Sequence, residues 1–368
     1  MQDNFRSILV IATRQLGDML LTTPLIHAAR ERWPQARIDV LGFAGTLGLL
    51  RGNADVNEFI EVREGSGWRE SLPLMRRLWR RYDLALIAQY SDRAHLYGWI
   101  AARVRSGLIL QRRALSWWKR PLLTHAVVVD QNQTHAVLEK LKLLAPWCDV
   151  AQVSVRPPPP RALPPDIAAA LRPCYVVLHV PSLVAYKQWP LAHAAQLATA
   201  LADRGRQVVL SGSASSADRE MVGEVMRMTA SSEVIDAAGR LDLNQVTTLL
   251  QGAALYIGPD TSITHLAAAC GTPVLALFGP VAPTLWGPWP QGHAAAQPYA
   301  ARSLRQQVGG VTVLQGPQAC VPCNRAGCDN HVGSHSECLV TMLPQRVLAQ
   351  AMAILERPST LPGFDDRA

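Results

Sequence analysis

Apolar residues recur along the chain in two rhythms. Short continuous runs at residues 7–12 (SILVIA), 37–42 (RIDVLG), 57–62, 83–89 (DLALIAQ) and 126–129 predict buried strands, and the longer stretches between them, at about 19–32, 68–81 and 134–144, carry the spacing of amphipathic helices. The same alternation returns in the second half. Strands are predicted at 175–180 (YVVLHV), 207–211, 234–235, 254–257 and 274–278, and helices at 191–204, 216–228, 243–251 and 261–270. Strands alternating with helices specify an α/β fold with parallel sheets covered on both faces. Between the two series lies Arg156 followed by four prolines, then Arg161, Ala162, Leu163, Pro164 and Pro165, a stretch too rich in proline for a helix or an inner strand. The predicted organisation is therefore residues 1–156 as one doubly wound, Rossmann-like domain, 157–165 as a linker, 166–341 as a second such domain, and 342–368 as a terminal helix (about 344–356) and tail. Two domains of this kind face each other across a cleft and present to it the loops at the carboxyl ends of their strands.

Composition changes this picture little. The chain of 368 residues is 49% hydrophobic, enough for two sizeable cores. Its first residues, MQDNFRSILVIAT, run directly into a strand and lack the basic end and long apolar run of a signal peptide, so a cytoplasmic protein is expected. Residues 261–301 carry no Asp, Glu, Lys or Arg, but Gly271, Pro273, Gly279, Pro280 and Pro283 interrupt them, so no membrane-spanning helix is expected there.

Charge is more informative. Residues 1–160 hold 22 Lys and Arg against 14 Asp and Glu, and the remaining 14 and 14 cancel, so the whole net charge of +8 belongs to the first half. It is densest at Arg76, Arg77, Arg80 and Arg81, and at Arg103, Arg105, Arg112, Arg113, Lys119 and Arg120 around Trp117 and Trp118. Such a face suits an anionic partner, a phosphorylated substrate or an acidic membrane surface, and equally describes an ordinary solvated face. No nucleic-acid-binding motif accompanies it, and no nucleic acid partner is expected.

Two turns carry candidate chemistry. After the strand at 254–257 comes Gly258-Pro259-Asp260-Thr261-Ser262, opening a helix whose free N–H groups suit a phosphate. Asp260 or Thr261 acting only as a helix cap is the plainer reading. His265 falls one helical turn beyond Thr261 and can face the same site or fill the core. After the first strand, Arg14-Gln15-Leu16-Gly17-Asp18 opens another helix, where Asp18 can cap, face the cleft, or do both. Neither half has a GxGxxG after its first strand, so a conventional NAD site is not indicated.

Together, RQLGDMLLTTPLIHAARERWPQA near the start and GPDTSITHLAAACGTPVLALFGP near the end, with HVPSLVAYKQWP and GRLDLNQVTTLL between them, resemble the lipopolysaccharide core heptosyltransferases of glycosyltransferase family 9. The resemblance covers nearly the whole chain. It implies the GT-B fold and inverting transfer of L-glycero-D-manno-heptose from ADP-heptose to the inner core of lipopolysaccharide, with no cofactor required for catalysis and peripheral contact with the cytoplasmic face of the inner membrane. By position, Asp18 matches the family's catalytic aspartate, the general base, and Gly17 a point of close approach. Lys187, Asp260, Thr261 and Ser262 match the donor diphosphate and sugar site, with His265, Ser182 and Leu241 beside it. Ser213 and Asp218 are candidates for holding the adenosine ribose, although the acidic residue is shifted. Arg14, Arg112, Arg113, Lys119 and Arg120 are assigned to the phosphorylated core and lipid A acceptor. Ser262 stands where the family has glycine, and a position requiring positive φ would strain it. A family member using another nucleotide sugar, or a non-catalytic binding or scaffold protein, is the alternative.

Finally, Cys320, Cys323, Cys328 and Cys338 cluster with His331 and His335 between the last two. In a cytosolic chain this pattern favours metal or reduced thiols over disulfides, and both a structural zinc held by the four cysteines and four free thiols stay open.

Overall fold

The computed structural model describes residues 4–357 apart from Arg14, Glu64, Ser66, residues 112–115, Gln131 and Ala230. Thirteen strands are assigned among the described residues: β1 Ser7–Ile11, β2 Arg37–Phe43, β3 Glu58–Val62, β4 Tyr82–Ile87, β5 Ala102–Leu110, β6 His125–Val129, β7 Val176–His179, β8 Val208–Ser211, β9 Val234–Asp236, β10 Leu255–Pro259, β11 Val274–Phe278, β12 Arg305–Val308 and β13 Val311–Gln315. They form two sheets, β3-β2-β1-β4-β5-β6 and β12-β13-β11-β10-β7-β8-β9. All pairings are parallel except β12 with β13. Each sheet is laid down outward from its first strand and then reverses, between β1 and β4 in one and between β7 and β10 in the other. Those two reversals are where an open α/β sheet leaves a crevice beyond its carboxyl edge.

The elements largely follow the apolar spacing, with three instructive departures. The helix expected at 19–32 is two helices, Leu16–Leu20 and Thr23–Arg32. Pro24 has no N–H to offer the carbonyl four residues earlier, and the Thr22 and Thr23 hydroxyls bond the Asp18 and Leu20 carbonyls instead, at 2.6 and 2.7 Å. The break lets the Leu16–Leu20 segment turn independently toward the second half. Strand β5 and its preceding helix, Asp92–Ala101, fell where the sequence read as a charge cluster. Arg103 is exposed at the edge, while the Arg105 guanidinium folds back onto the Ala102 and Leu122 carbonyls, so both arginines fit a strand. Strands β12 and β13 were also not anticipated.

The two halves are not independent in their packing. One apolar cluster runs continuously from Ile8, Val10 and Leu25 in the first half through Leu249 and Leu266 to Tyr256 and Phe278 in the second. A second cluster lies on the far face of the second sheet and includes Val347 and Ala351 of the terminal helix Pro344–Leu355; a third lies on the far face of the first. The proline-rich stretch is bonded on both sides, Arg156 N–H to Thr23 Oγ1 at 2.9 Å and Asn244 Nδ2 to the Pro159 carbonyl at 2.7 Å.

The turn after β10 is pinned from below. Thr264, fully buried, donates to the Pro259 carbonyl and receives the Tyr256 hydroxyl at 2.9 Å. Thr264→Val would leave both partners buried without a bond and should lower unfolding free energy by about 1–3 kcal/mol, read from urea denaturation.

Three histidines are likewise buried where the halves meet and at the carboxyl ends of the second sheet. Burial pushes His135 down to about 3, and His179 and His265 each to about 4. Each stays neutral in the folded chain while an unfolded histidine takes up a proton near pH 6.5, so between about pH 6.5 and 4 the unfolded state binds more protons and stability falls as pH drops. The loss is at most about 3 kcal/mol for each of His179 and His265. Unfolding midpoints should fall steadily from pH 7 to 4.5, and His179→Asn should make that slope shallower; an unchanged slope would contradict its neutral burial.

Candidate active site

Both candidate turns lie at the sheet reversals. Asp18 follows β1, and Asp260 to His265 follow β10, opposite Lys187 in the turn after β7. The halves bring them together: a Cβ built on Gly17 would stand 3.7 Å from His265 Cδ2 and 3.7 Å from Ser262 Cα. That is ordinary contact, so alanine would fit at 17 in this arrangement.

Neither aspartate is merely a helix cap. The helix Ser262–Ala269 begins at Thr261, whose side chain makes no capping bond, and Asp260 points instead to Lys187, whose Nζ stands 2.6 Å from its Oδ2. Burial alone would lower the Lys187 pKa, but the charge and hydrogen bonding of Asp260 outweigh it and hold the ammonium above its ordinary value. The first-turn N–H groups of this eight-residue helix therefore meet no side-chain cap, the arrangement an anion needs. Ser262 is the first helical residue, and it is not among the residues with positive φ, so the strain foreseen for a serine there does not arise.

Asp18 sits in the first turn of Leu16–Leu20 and likewise makes no capping bond. It meets a residue the sequence reading missed, Lys140, whose Nζ is 3.6 Å from Asp18 Oδ1 and 2.7 Å from the Asp18 carbonyl. Lys140 lies in the helix Ala136–Leu141 within Leu-Glu-Lys-Leu-Lys, a pattern indistinguishable from an ordinary charged surface turn. A cavity of about 340 Å³ opens beside Asp18, lined among others by Gln89, Asp130, Glu139, Lys140 and, from the second half, Trp286. Its size is that of a small-ligand site.

His265 lies on the second half's side of this junction, 3.9 Å from Asp260 Oδ1 through Nε2, too far for a hydrogen bond. Burial, only partly offset by Asp260 and Asp18, keeps it neutral, and its Nδ1 has no hydrogen-bond partner among the described residues.

Other expected site residues stand further out or are already engaged. Ser182 donates its hydroxyl to the Val184 carbonyl at 3.1 Å. Asp218 accepts the Ser213 N–H at 2.8 Å and donates its own N–H to Ser215 Oγ at 3.1 Å, so its carboxylate organises the turn after β8. Leu241 packs half-buried against the large core. His179, which the sequence did not single out, ends β7 with its Nδ1 3.0 Å from Ser211 Oγ and its ring stacked on Tyr256.

The basic face is divided. Arg14, Arg112 and Arg113 lie outside the described residues. Lys119 is 3% exposed and bonds the Tyr90 carbonyl at 2.6 Å and Asp92 at 2.6 Å, so it is held inside the first half and not presented to an acceptor; Arg120 is exposed. Arg80 and Arg81 immediately precede β4 and stand at the amino edge of the sheet, away from Asp18.

The four cysteines of the candidate zinc site do lie near one another. Burial, and then Cys323, Cys320 and Cys328, push the Cys338 thiol up to about 12, and Cys328 Sγ accepts the Glu337 N–H at 3.4 Å. Among the described residues, however, no group of three or more His, Cys, Asp or Glu is placed to hold a metal ion, and the zinc reading is not supported. The sequence spacing brought the thiols into one region without directing them to a common point.

Comparison with known proteins gives this geometry a family. Residues 72–306 match the model of glycosyltransferase family 9 (heptosyltransferase). The chain is 29% identical over 290 residues to lipopolysaccharide heptosyltransferase 3 of Escherichia coli K12, covering 75% of this chain and 83% of that one. It is also 29% identical over 370 residues to lipopolysaccharide heptosyltransferase 2 of Salmonella typhimurium, covering 95% and 98%. Among solved structures, E. coli ADP-heptose LPS heptosyltransferase II superposes with a TM-score of 0.70 at 23% identity over 95% of this chain and 98% of that one. An E. coli heptosyltransferase solved with ADP superposes with a TM-score of 0.67 at 19% identity over 95% and 99%. The two facing α/β sheets are thus a GT-B-type arrangement, and the chain belongs to glycosyltransferase family 9, the heptosyltransferases.

Proposed function

We propose that this enzyme transfers L-glycero-D-manno-heptose from ADP-heptose to a sugar hydroxyl of the lipopolysaccharide inner core, with inversion at the anomeric carbon and Asp18 as general base. The observation that carries the reading is the meeting of Gly17, the immediate neighbour of Asp18, with Ser262 and His265 across the junction of the halves. An inverting transfer needs a base on the acceptor side and stabilisation of a departing diphosphate on the other. Asp18 opens onto the cavity that would take the acceptor. The amino end of Ser262–Ala269 and the Lys187 ammonium would take the diphosphate, with Asp260 aligning the lysine. The names of the relatives, and a family structure solved with ADP, support the donor and the acceptor class. With Lys187 and the helix terminus as counter-charges, the reading asks for no divalent ion.

In this scheme residues 1–156 bind the acceptor, 157–165 connect, 166–341 bind the nucleotide sugar, and 342–368 are the C-terminal helix and tail. No helix among the described residues is long and apolar enough to cross a membrane. The charge excess of the first half supports residence against the cytoplasmic face of the inner membrane, where the phosphorylated acceptor would lie.

Two substitutions test the assignment. Asp18→Asn should lower turnover by about 10²–10⁴-fold while ADP binding, followed by calorimetry, stays within about twofold of the parent; normal turnover would exclude Asp18 as the base. Lys187→Met should weaken ADP binding by about tenfold or more, because a charged partner of the diphosphate is lost. Unaltered affinity would move the phosphate site elsewhere, and ADP-heptose binding by the parent without product formation would favour a non-catalytic binding protein.

A further inference from the structure

Asp18 sits on a weak support. Its helix, Leu16–Leu20, has five residues, lacks a side-chain cap and stops at the break before Pro24. A base must be held within hydrogen-bond reach of the proton it removes, and a displacement of about 1 Å can cost roughly 10²-fold in rate. What holds this base comes from elsewhere in the chain.

Lys140 reaches the Asp18 carbonyl at 2.7 Å and stands 3.6 Å from Asp18 Oδ1, its side chain 5% exposed. The same carbonyl receives the Thr22 hydroxyl at 2.6 Å, so two donors fix the backbone while the ammonium limits rotation of the carboxylate. The helix bearing Lys140, Ala136–Leu141, is itself anchored to the second half through its N-cap residue, His135. Because His135 Nδ1 accepts the Val137 N–H at 3.2 Å, its ring proton is on Nε2, which donates to the Gly287 carbonyl at 2.8 Å. The His135 N–H donates to Gln297 Oε1 at 3.1 Å, and the ring lies edge-on to Trp289.

We infer that Lys140 is a positioning residue for Asp18, and that the helix Ala136–Leu141, tied to the second half by His135, sets the base in place when the two halves are together. The inference rests on Asp18 being the base. It identifies a lysine outside both motif turns as part of the catalytic apparatus, acting through Asp18 and without contact to the donor.

The test is a kinetic comparison of Lys140→Met, Lys140→Arg and Asp18→Asn, alone and combined, in the full-length enzyme with ADP-heptose and core acceptor. Lys140→Met should lower kcat by about 10–100-fold with the KM for ADP-heptose within about twofold, and Lys140→Arg, which keeps the cation and the bond to the carbonyl, should restore most of it. Added to Asp18→Asn, Lys140→Met should cost nothing further, since a group acting through Asp18 has nothing left to position. Lys142→Met, at the C-cap of the same helix, should leave kcat unchanged. Full additivity of the two losses, or kcat within twofold of the parent in Lys140→Met, would overturn the inference. Should Lys140→Met fail to fold, Lys140→Gln takes its place with the same two outcomes, and a loss in Lys140→Arg as great as that of Asp18→Asn would also overturn the inference. Turnover surviving in Asp18→Asn would instead defeat the assignment of the base, a separate outcome.

Discussion

Two lysine–aspartate pairs, one at the carboxyl edge of each sheet, organise the centre of this molecule. Lys140 with Asp18 and Lys187 with Asp260 are each well shielded from solvent, with side-chain exposures of 5% and 14% in the first pair and 24% and 6% in the second. Removing one member of such a pair leaves the other charge without its counter-ion, a cost of about 3–5 kcal/mol where the pair is fully buried. In each pair the aspartate belongs to a turn that follows a strand at the sheet reversal, and the lysine comes from another segment of the same half. The pairs also sense one another, since Asp18 raises the Lys187 pKa and both lysines lower that of His265. Charge at this junction is thus shared among four groups and a neutral imidazole.

This arrangement relates the fold to the chemistry. In the proposed transfer with inversion, a base and a departing diphosphate would stand on opposite sides of one carbon, and the two reversals supply two edges that face each other. The continuous apolar cluster through Leu25, Leu249 and Leu266 keeps the edges together, while the break at Thr22 and Pro24 allows the short Asp18 helix to turn toward Ser262. A single unbroken helix from 16 to 32 would tie the direction of Asp18 to the packing of Leu25 and Ile26.

The regions of greatest charge and of greatest cysteine density proved to be elsewhere. Arginines preceding β4 stand at the edge of the first sheet away from Asp18, and Arg77 and Arg81 share Glu58 with Arg37. Lys119, counted with the basic face, is buried against Asp92. Composition registers that a charge exists, whereas burial and partners decide whether it is available to a ligand. The cysteine stretch shows the same distinction, because a metal requires convergence of thiols at one point and sequence spacing only limits how far apart they lie.

Most of the architecture was legible in the residues, because strand and helix periodicity are local properties of the chain. The strands through Val10, Val177 and Leu275, the helices Ser216–Met228 and Leu243–Gln251, and the turn at Asp260 all follow from patterns within a few residues. Strand β5 escaped because two arginines in it imitate a surface loop, and β12 because Arg-Gln-Gln-Val is nearly all polar, whereas the β13 segment Val-Thr-Val-Leu-Gln does carry a strand-length β-branched run. The paired motifs at Asp18 and Asp260 were also legible, by resemblance. By itself the sequence determined two doubly wound halves and the turns that matter, since hydrophobic spacing and turn chemistry act over short distances. Only the tertiary structure decided that Lys140 supports Asp18, that His135 reaches Gly287 and that Asp260 faces Lys187, because each of these bonds joins residues between 73 and 152 positions apart and depends on which faces the packed sheets turn toward each other.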